Sequence, residues 1–93
     1  MEINMQTDGK KGAFYLEENQ KRLAEMTFTM AGEHKMIIDH TEVDESLKGQ
    51  GIGRKLLDQL VEYVRQNNIK VLPLCPYANS VFQKDTSIRD VLL

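Results

Sequence analysis

The sequence predicts a small α+β domain in which an antiparallel sheet leads into a central helix and a final parallel strand. Three observations carry this prediction. The first half of the chain alternates apolar and polar residues and is divided by short turn sequences. From residue 52 to residue 64 the apolar spacing changes to the helical period, and the short apolar run "KVLPL" follows. A strand, a helix and a strand in succession favour a right-handed crossover, which makes the last two strands parallel.

Length and composition limit the possible functions. The chain has 93 residues, so we expect residues 1–93 to form a single domain. A formal net charge of −2 argues against a nucleic-acid partner bound through bulk positive charge. The only cysteine is Cys75, and no apolar run approaches the roughly 20 residues of a membrane span. No cluster has the spacing of metal ligands. We therefore expect a cytoplasmic protein without a metal site or a membrane partner.

Four strand patterns precede the helix. The stretches "EINMQ" and "AFYLEE" alternate and are separated by a turn sequence at Asp8-Gly9. The stretch "KMIIDHTEV" is rich in β-branched residues and is the fourth strand. The third stretch, "LAEMTFTMAG", is the clearest, because its apolar residues lie on one face: Ala24, Met26, Phe28 and Met30. Short turns between these strands predict an antiparallel meander.

The second half of the chain begins with the central helix. Asn67-Asn68 is a suitable stop for it. After the fifth strand, "PYANSVFQ" predicts a short C-terminal helix with Pro76 in its first turn. The tail "TSIRDVLL" has no clear period, and we expect Ile88, Val91 and Leu92 to pack on the core. The apolar stripe of the central helix consists of Ile52, Leu56, Leu57, Leu60, Val61 and Val64.

The stretch "LKGQGIG", residues 47–53, places three glycines directly before the central helix. The first N–H groups of a helix have no partner within it, and the helix dipole adds partial positive charge there. A turn without side chains lets those donors contact an anion, and Lys48 and Arg54 add charge nearby. The alternative is that the glycines only make a tight connection. The full dinucleotide fingerprint and the Gly-Lys-Ser/Thr end of a triphosphate loop are both missing.

The motif around these glycines resembles that of a known superfamily. The stretch "VDESLKGQGIGRKLL", residues 43–57, resembles the acetyl-CoA-binding motif of the GNAT acetyltransferases, written Arg/Gln-x-x-Gly-x-Gly/Ala. Lys48 stands where that motif has Arg or Gln. With "IDHTEV" before the motif and "PLCPYAN" after it, the chain is similar to a small single-domain branch that lacks the usual early helices. The resemblance implies a GNAT-like mixed sheet and acetyl-CoA as cosubstrate.

The same resemblance implies roles for the residues of the motif. Main-chain amides of the turn would hold the CoA pyrophosphate, and Val43 with its neighbours would pair by backbone with the pantetheine arm. The implied activity is transfer of an acetyl group from acetyl-CoA to an amine. The acceptor is not predicted, because the helices that usually bind it have no counterpart here. The predicted coenzyme-binding residues are Val43, Lys48, Gly49, Gln50, Gly51, Ile52, Gly53 and Arg54.

Cys75 and His40 are the predicted catalytic residues, and the small branch carries a cysteine and a histidine at these places. Cys75 follows the fifth strand, whose carboxyl end meets that of the fourth strand at one edge of the sheet. A thiolate there can accept an acyl group, although free cysteines often only pack. His40 alternates with Ile38 and Glu42 on one strand face, and imidazole titrates in the range that suits proton transfer. Glu42 and Glu45 are alternative bases.

Several alternatives stay open at this point. The acetyl group can pass directly to a deprotonated amine, or through Cys75 in two steps. The chain can also be a non-catalytic CoA- or acyl-CoA-binding module, or an interaction domain whose glycines only shape a turn. A fifth strand that ends near Cys75 leaves a sheet edge, which is compatible with a monomer or a weak homodimer.

Overall fold

In the computed structural model, which describes residues 2–93, five strands form one sheet in the order in which they occur along the chain. The first four strands pair antiparallel, and the fifth pairs parallel to the fourth. The predicted meander and the parallel final pair are therefore confirmed. The strands are β1 (Asn4–Thr7), β2 (Lys11–Glu18), β3 (Lys21–Met30), β4 (Lys35–Val43) and β5 (Lys70–Pro73).

Two α-helices accompany the sheet. Helix α1 (Ile52–Gln66) connects β4 to β5, and α2 (Pro76–Lys84) follows β5. Short 3-10 helices span Glu45–Leu47 and Thr86–Val91. Each side chain of the predicted apolar stripe of α1 is buried, which contributes about 1.5–3 kcal/mol per residue and holds α1 against the sheet. Neither α1 nor any other helix within residues 2–93 has the length and apolar character needed to cross a membrane.

One face of the sheet packs against α1 and forms the core. The rings of Phe14 and Phe28 lie on this face with their centroids 5.7 Å apart, and the Tyr63 ring of α1 lies 5.7 Å from Phe14. The strand residues that this face buries follow the predicted alternation: Phe14, Leu16, Ala24, Met26, Phe28, Met36 and Ile38. The opposite face, by contrast, carries partly exposed residues such as Glu25, Thr27 and Glu42.

The C-terminal segment closes the outer side of β5. Ile88 and Val91 are buried and Leu92 is partly buried against the core, as expected. Leu92 forms a parallel bridge with Val71, and the Leu93 N–H donates to the Val71 carbonyl oxygen at 2.9 Å. The sheet edge that the sequence leaves open is thus covered at Val71.

An extra residue in β4 changes the face on which its later side chains lie. Ile38 is opposite Phe28 on β3, whereas His40 is opposite Thr27, so Asp39 forms a β-bulge. Because Thr27 and Phe28 are neighbours on one strand, they point to opposite faces, and so do His40 and Ile38. The prediction that His40 shares a face with Ile38 is wrong, because simple alternation does not allow for the extra residue.

Strands β4 and β5 separate after a short stretch of pairing. Their register ends where Ile38 is opposite Pro73. The Ile38 carbonyl oxygen then accepts two hydrogen bonds, from the N–H of Leu74 at 3.1 Å and from that of Cys75 at 3.0 Å. Beyond this point, no strand within residues 2–93 pairs with the edge of β4 that faces β5. The separation opens a gap beside residues 39–43.

Gly12 allows a close contact between β2 and the Phe28 ring. A Cβ atom at Gly12 would lie 2.5 Å from Phe28 Cζ and 2.5 Å from the Gln6 carbonyl oxygen. We expect Gly12→Ala to lower the free energy of unfolding by about 1–3 kcal/mol, because the ring and β1 must both move. Urea denaturation followed by circular dichroism measures this change. The exposed neighbour offers a control, since Lys11→Ala should change the same quantity by less than about 0.5 kcal/mol. Equal losses of unfolding free energy in the two variants would contradict the claim that Gly12 is needed for the close contact with Phe28.

Candidate functional site

The glycine-rich turn leaves backbone donors free at the start of α1. Gly51 is the N-cap residue and has φ 71° and ψ 24°, a left-handed conformation that favours glycine. The first hydrogen bond of the helix runs from the Lys55 N–H to the Gly51 carbonyl oxygen at 3.1 Å. The N–H groups of residues 51–54 therefore have no partner within the helix. Because the N-cap residue is a glycine, it has no side chain that could accept a hydrogen bond from them. Unpaired N–H groups at a helix start have the charge and hydrogen-bonding capacity to bind an anion.

The turn before the helix is itself held in place. Asp44 precedes the 3-10 helix Glu45–Leu47, and its Oδ2 accepts hydrogen bonds from the Ser46 N–H at 3.0 Å and the Ser46 hydroxyl at 2.6 Å. The Asp44 N–H in turn donates to the Leu23 carbonyl oxygen of β3 at 2.7 Å. The two hydrogen bonds from Ser46, chiefly the one from its hydroxyl, keep the pKa of the Asp44 carboxyl below its usual value. The bond from the Asp44 N–H to Leu23 fixes the turn to the end of the sheet.

A groove of about 330 Å³ brings the turn together with the open end of β4. Among the residues predicted to bind the coenzyme, Gln50 and Arg54 lie outside its lining. A hollow of about 450 Å³ shares Thr41 and Val43 with this groove, and hollows of about 550 and 620 Å³ lie elsewhere. None of the three is lined by residues 47–53, so the smaller groove is the one that the free N–H donors reach. The groove is lined by Thr41, Val43, Leu47, Lys48, Gly49, Gly51, Ile52, Gly53 and Tyr77.

Tyr77 is a groove residue that the sequence analysis missed. Its ring packs on Gly53, where a Cβ atom would lie 3.0 Å from Tyr77 Cζ and 3.2 Å from its hydroxyl oxygen. Gly53 therefore makes room for this ring. Burial raises the pKa of the Tyr77 phenol above its usual value, so the phenol is protonated at neutral pH. Its place directly after Pro76 was a usable signal, because the short helix begins at the same sheet edge as the turn.

Cys75 lies directly behind the wall of this groove. It is the N-cap residue of α2, and its side chain is buried. Its Sγ lies 3.1 Å from the Thr41 hydroxyl oxygen, and Thr41 lines the groove. Thr41 thus bridges the gap between β4 and the segment after β5. The residue is 2% exposed, so an acyl donor in the groove has access to the thiol only if Thr41 or its neighbours move.

His40 lies on the other side of β4. Because of the bulge at Asp39, its ring is on the sheet face opposite α1, whereas Thr41 is opposite Met26 on the core side. The His40 side chain is 59% exposed, and its Nε2 lies 3.0 Å from Glu42 Oε1. The structure therefore brings the turn, Thr41 and Cys75 together, and separates them from His40 by the thickness of one strand.

Lys48 and Arg54, the two basic residues predicted to bind the coenzyme, are each paired with carboxylates. The Nζ of Lys48 lies 3.0 Å from Glu45 Oε2, and both side chains are largely exposed, so this pair is weak and exchangeable. The Arg54 guanidinium donates to Asp58 and Asp85. Lys48 is therefore the more readily available positive charge beside the groove.

Comparison with known protein families gives one match that spans most of the chain. A family described as GCN5-related N-acetyltransferase matches residues 13–91. This range includes most of β2, all of β3 to β5, both α-helices and the whole groove. A search of curated proteins gives no match.

Solved structures show the same relationship. A GCN5-like protein from Staphylococcus aureus is 39% identical with a TM-score of 0.73, and the match covers 99% of this chain and 87% of that one. Tetrahymena GCN5 is 17% identical with a TM-score of 0.65, and the match covers 83% of this chain and 51% of that one. The ribosomal-protein-S18-alanine N-acetyltransferase of Escherichia coli is 16% identical with a TM-score of 0.62, over 85% of this chain and 53% of that one. The last two share the fold, and this chain spans about half of their length.

Proposed function

We propose that this chain, which belongs to the GCN5-related N-acetyltransferase family, binds acetyl-CoA and transfers its acetyl group to an amine. The observation that carries this proposal is the groove in which the free N–H donors of the glycine turn meet the unpaired edge of β4. A diphosphate matches those donors in charge and in hydrogen-bonding capacity. An amide-bearing arm matches a strand edge, because it can pair by main-chain hydrogen bonds.

Each predicted coenzyme residue has a role in this proposal. The N–H groups of Gly49, Gly51, Ile52, Gly53 and Arg54 bind the pyrophosphate oxygens, and Lys48 adds positive charge by leaving Glu45. The Gln50 N–H donates to the Leu47 carbonyl oxygen at 3.4 Å, so Gln50 keeps the turn in shape. Val43 pairs by backbone with the pantetheine arm along the edge of β4. The thioester then lies near Thr41, where β4 and β5 separate.

Direct transfer is the mechanism that the arrangement of residues favours. The amine nitrogen attacks the thioester carbonyl carbon, the C–S bond breaks, and the proton lost from nitrogen passes through solvent water to His40 on the open face, whose ring Glu42 orients. Unpaired N–H groups of β4 stabilise the oxyanion, and the Tyr77 phenol can donate a proton to the leaving thiolate. The donor then occupies the core side of β4 and the amine arrives from the open face. The two-step route through Cys75 is less favoured because that thiol is buried.

One observation favours a second candidate, a CoA-binding module without transfer activity. The sheet face that carries His40 has no helix over it within residues 2–93, so no element there encloses an acceptor. A module of this kind would bind acetyl-CoA through the same turn and release no CoA.

Gly51 variants test whether the turn is the coenzyme site. The chain offers a matched pair, Gly51→Glu and Gly51→Gln, because both side chains meet the same backbone strain at φ 71°. Only glutamate adds a negative charge at the proposed phosphate position. We expect acetyl-CoA to bind about 10-fold more weakly to the glutamine variant and at least about 100-fold more weakly to the glutamate variant. Isothermal titration measures the affinities, and circular dichroism checks that both variants fold. Unchanged affinity of Gly51→Glu would exclude the turn.

A transfer assay separates the mechanisms and the two candidate functions. With acetyl-CoA and a panel of amines, direct transfer predicts that His40→Gln lowers kcat by about 100-fold and that Cys75→Ser stays within about 3-fold of the parent. Release of free CoA measures the rate, and mass spectrometry detects acetyl groups on the protein. An acetyl group on Cys75 in the absence of amine, together with loss of activity in Cys75→Ser, would contradict direct transfer. Tight binding without CoA release for any amine would favour the non-catalytic module.

A further inference from the structure

Arg54 forms two ionic contacts beside the groove. Its Nε donates to Asp58 Oδ1 at 2.8 Å within α1, and its Nη2 donates to Asp85 Oδ2 at 2.5 Å, across to the end of α2. The Arg54 and Asp85 side chains are 39% and 28% exposed. The guanidinium fork therefore connects the first turn of α1 to a different element of the fold.

Asp85 is a fixed partner for this guanidinium. It follows α2 and is the N-cap of the 3-10 helix Thr86–Val91. Its Oδ1 accepts hydrogen bonds from the Ser87 N–H at 2.9 Å and the Ser87 hydroxyl at 2.6 Å, so Oδ2 is left for Arg54. These bonds, with Ser87 first and Arg54 second, lower the pKa of Asp85 to about 2. The carboxylate is therefore charged at neutral pH.

The N-terminal end of α2 contacts Gly53, the residue before Arg54. Tyr77, in the first turn of α2, packs on Gly53, and Gly53 directly precedes Arg54. Helix α2 has nine residues and buries only Ala78 and Phe82. These two side chains hold α2 on the core, and the Arg89 guanidinium donates to the Phe82 and Gln83 carbonyl oxygens near its C-terminal end. The contacts at its two ends then set how closely its first turn lies against Gly53.

We infer that the Arg54 side chain is a positioning residue that ties α2 to the glycine turn through Asp85, so that Tyr77 stays in place as a wall of the groove. This inference rests on the proposed function for its effect on acetyl-CoA, and it assigns the Arg54 side chain a role different from that of its backbone N–H. The N–H belongs to the proposed phosphate site, whereas the guanidinium is already bound to two carboxylates. We call the Arg54–Asp85 contact the brace. Its loss loosens Tyr77 and leaves the positions of the backbone N–H donors of the turn unchanged.

The brace is tested first without any ligand. In the free protein, nuclear Overhauser effects between the Tyr77 ring and the Gly53 Hα protons report their contact. We expect this signal to be lost in Arg54→Gln and in Asp85→Asn, and kept in the control Asp58→Asn. Asparagine at position 85 still accepts from Ser87, and asparagine at position 58 still accepts from the Arg54 Nε. Retention of the signal in both Arg54→Gln and Asp85→Asn would overturn the inference.

Ligand binding then distinguishes a brace from a direct phosphate contact. For a brace, Arg54→Gln and Asp85→Asn each weaken acetyl-CoA binding about 3- to 5-fold, and the double variant is no worse than either single variant. ADP, which carries the diphosphate without the pantetheine arm, stays within about 2-fold in all of them. A direct phosphate contact predicts the opposite for Asp85→Asn, because the freed guanidinium would strengthen binding of both ligands. Failure of the unaltered protein to bind acetyl-CoA would refute the proposed function and leave the free-protein test of the brace intact.

Discussion

The start of α1 presents backbone N–H groups that the helix cannot satisfy, and the rest of the molecule determines what those groups face. Many helices begin with a serine or aspartate in extended backbone conformation, whose side-chain oxygen accepts from one of these N–H groups. This chain has a left-handed glycine there instead, with Gly49 also at a positive φ of 82°. The helix therefore begins without a side-chain cap, and an anionic ligand can take the place of that cap.

Three features of the fold determine what the start of α1 faces. The buried stripe of α1 fixes the helix axis, so the donors are held rigidly at the end of β4. The separation of β4 from β5 after Ile38 leaves a strand edge unpaired beside the donors. Helix α2 then begins at Cys75 and sets Tyr77 against Gly53 as the far wall. A thioester carrier with a diphosphate at one end and an amide-bearing arm at the other matches this arrangement along its length.

The regular elements were predictable from the sequence, because their periodicity reflects burial on one face. β4 spans the predicted residues Lys35–Val43, and α1 begins at Ile52, the first residue of the predicted apolar stripe. Features that depend on contacts distant in sequence were not predictable. The bulge at Asp39 inserts one residue, which no alternation pattern reveals, and it moves His40 to the open face. The pairing of Arg54 with Asp85 joins residues 31 positions apart, and the motif alone suggested a phosphate ligand there.

The most direct test of the account is an NMR titration of the nitrogen-15-labelled protein with CoA, followed at each backbone amide. If the turn binds the diphosphate, new hydrogen bonds form and the amide protons of Gly49 and of residues 51–54 shift downfield together. The shift changes of all these amides then fit one common dissociation constant for CoA. Amides at the opposite end of the sheet, such as that of Gly32, stay unchanged. Saturable CoA binding with no shift in the amides of residues 51–54 would contradict the claim that these donors hold the coenzyme.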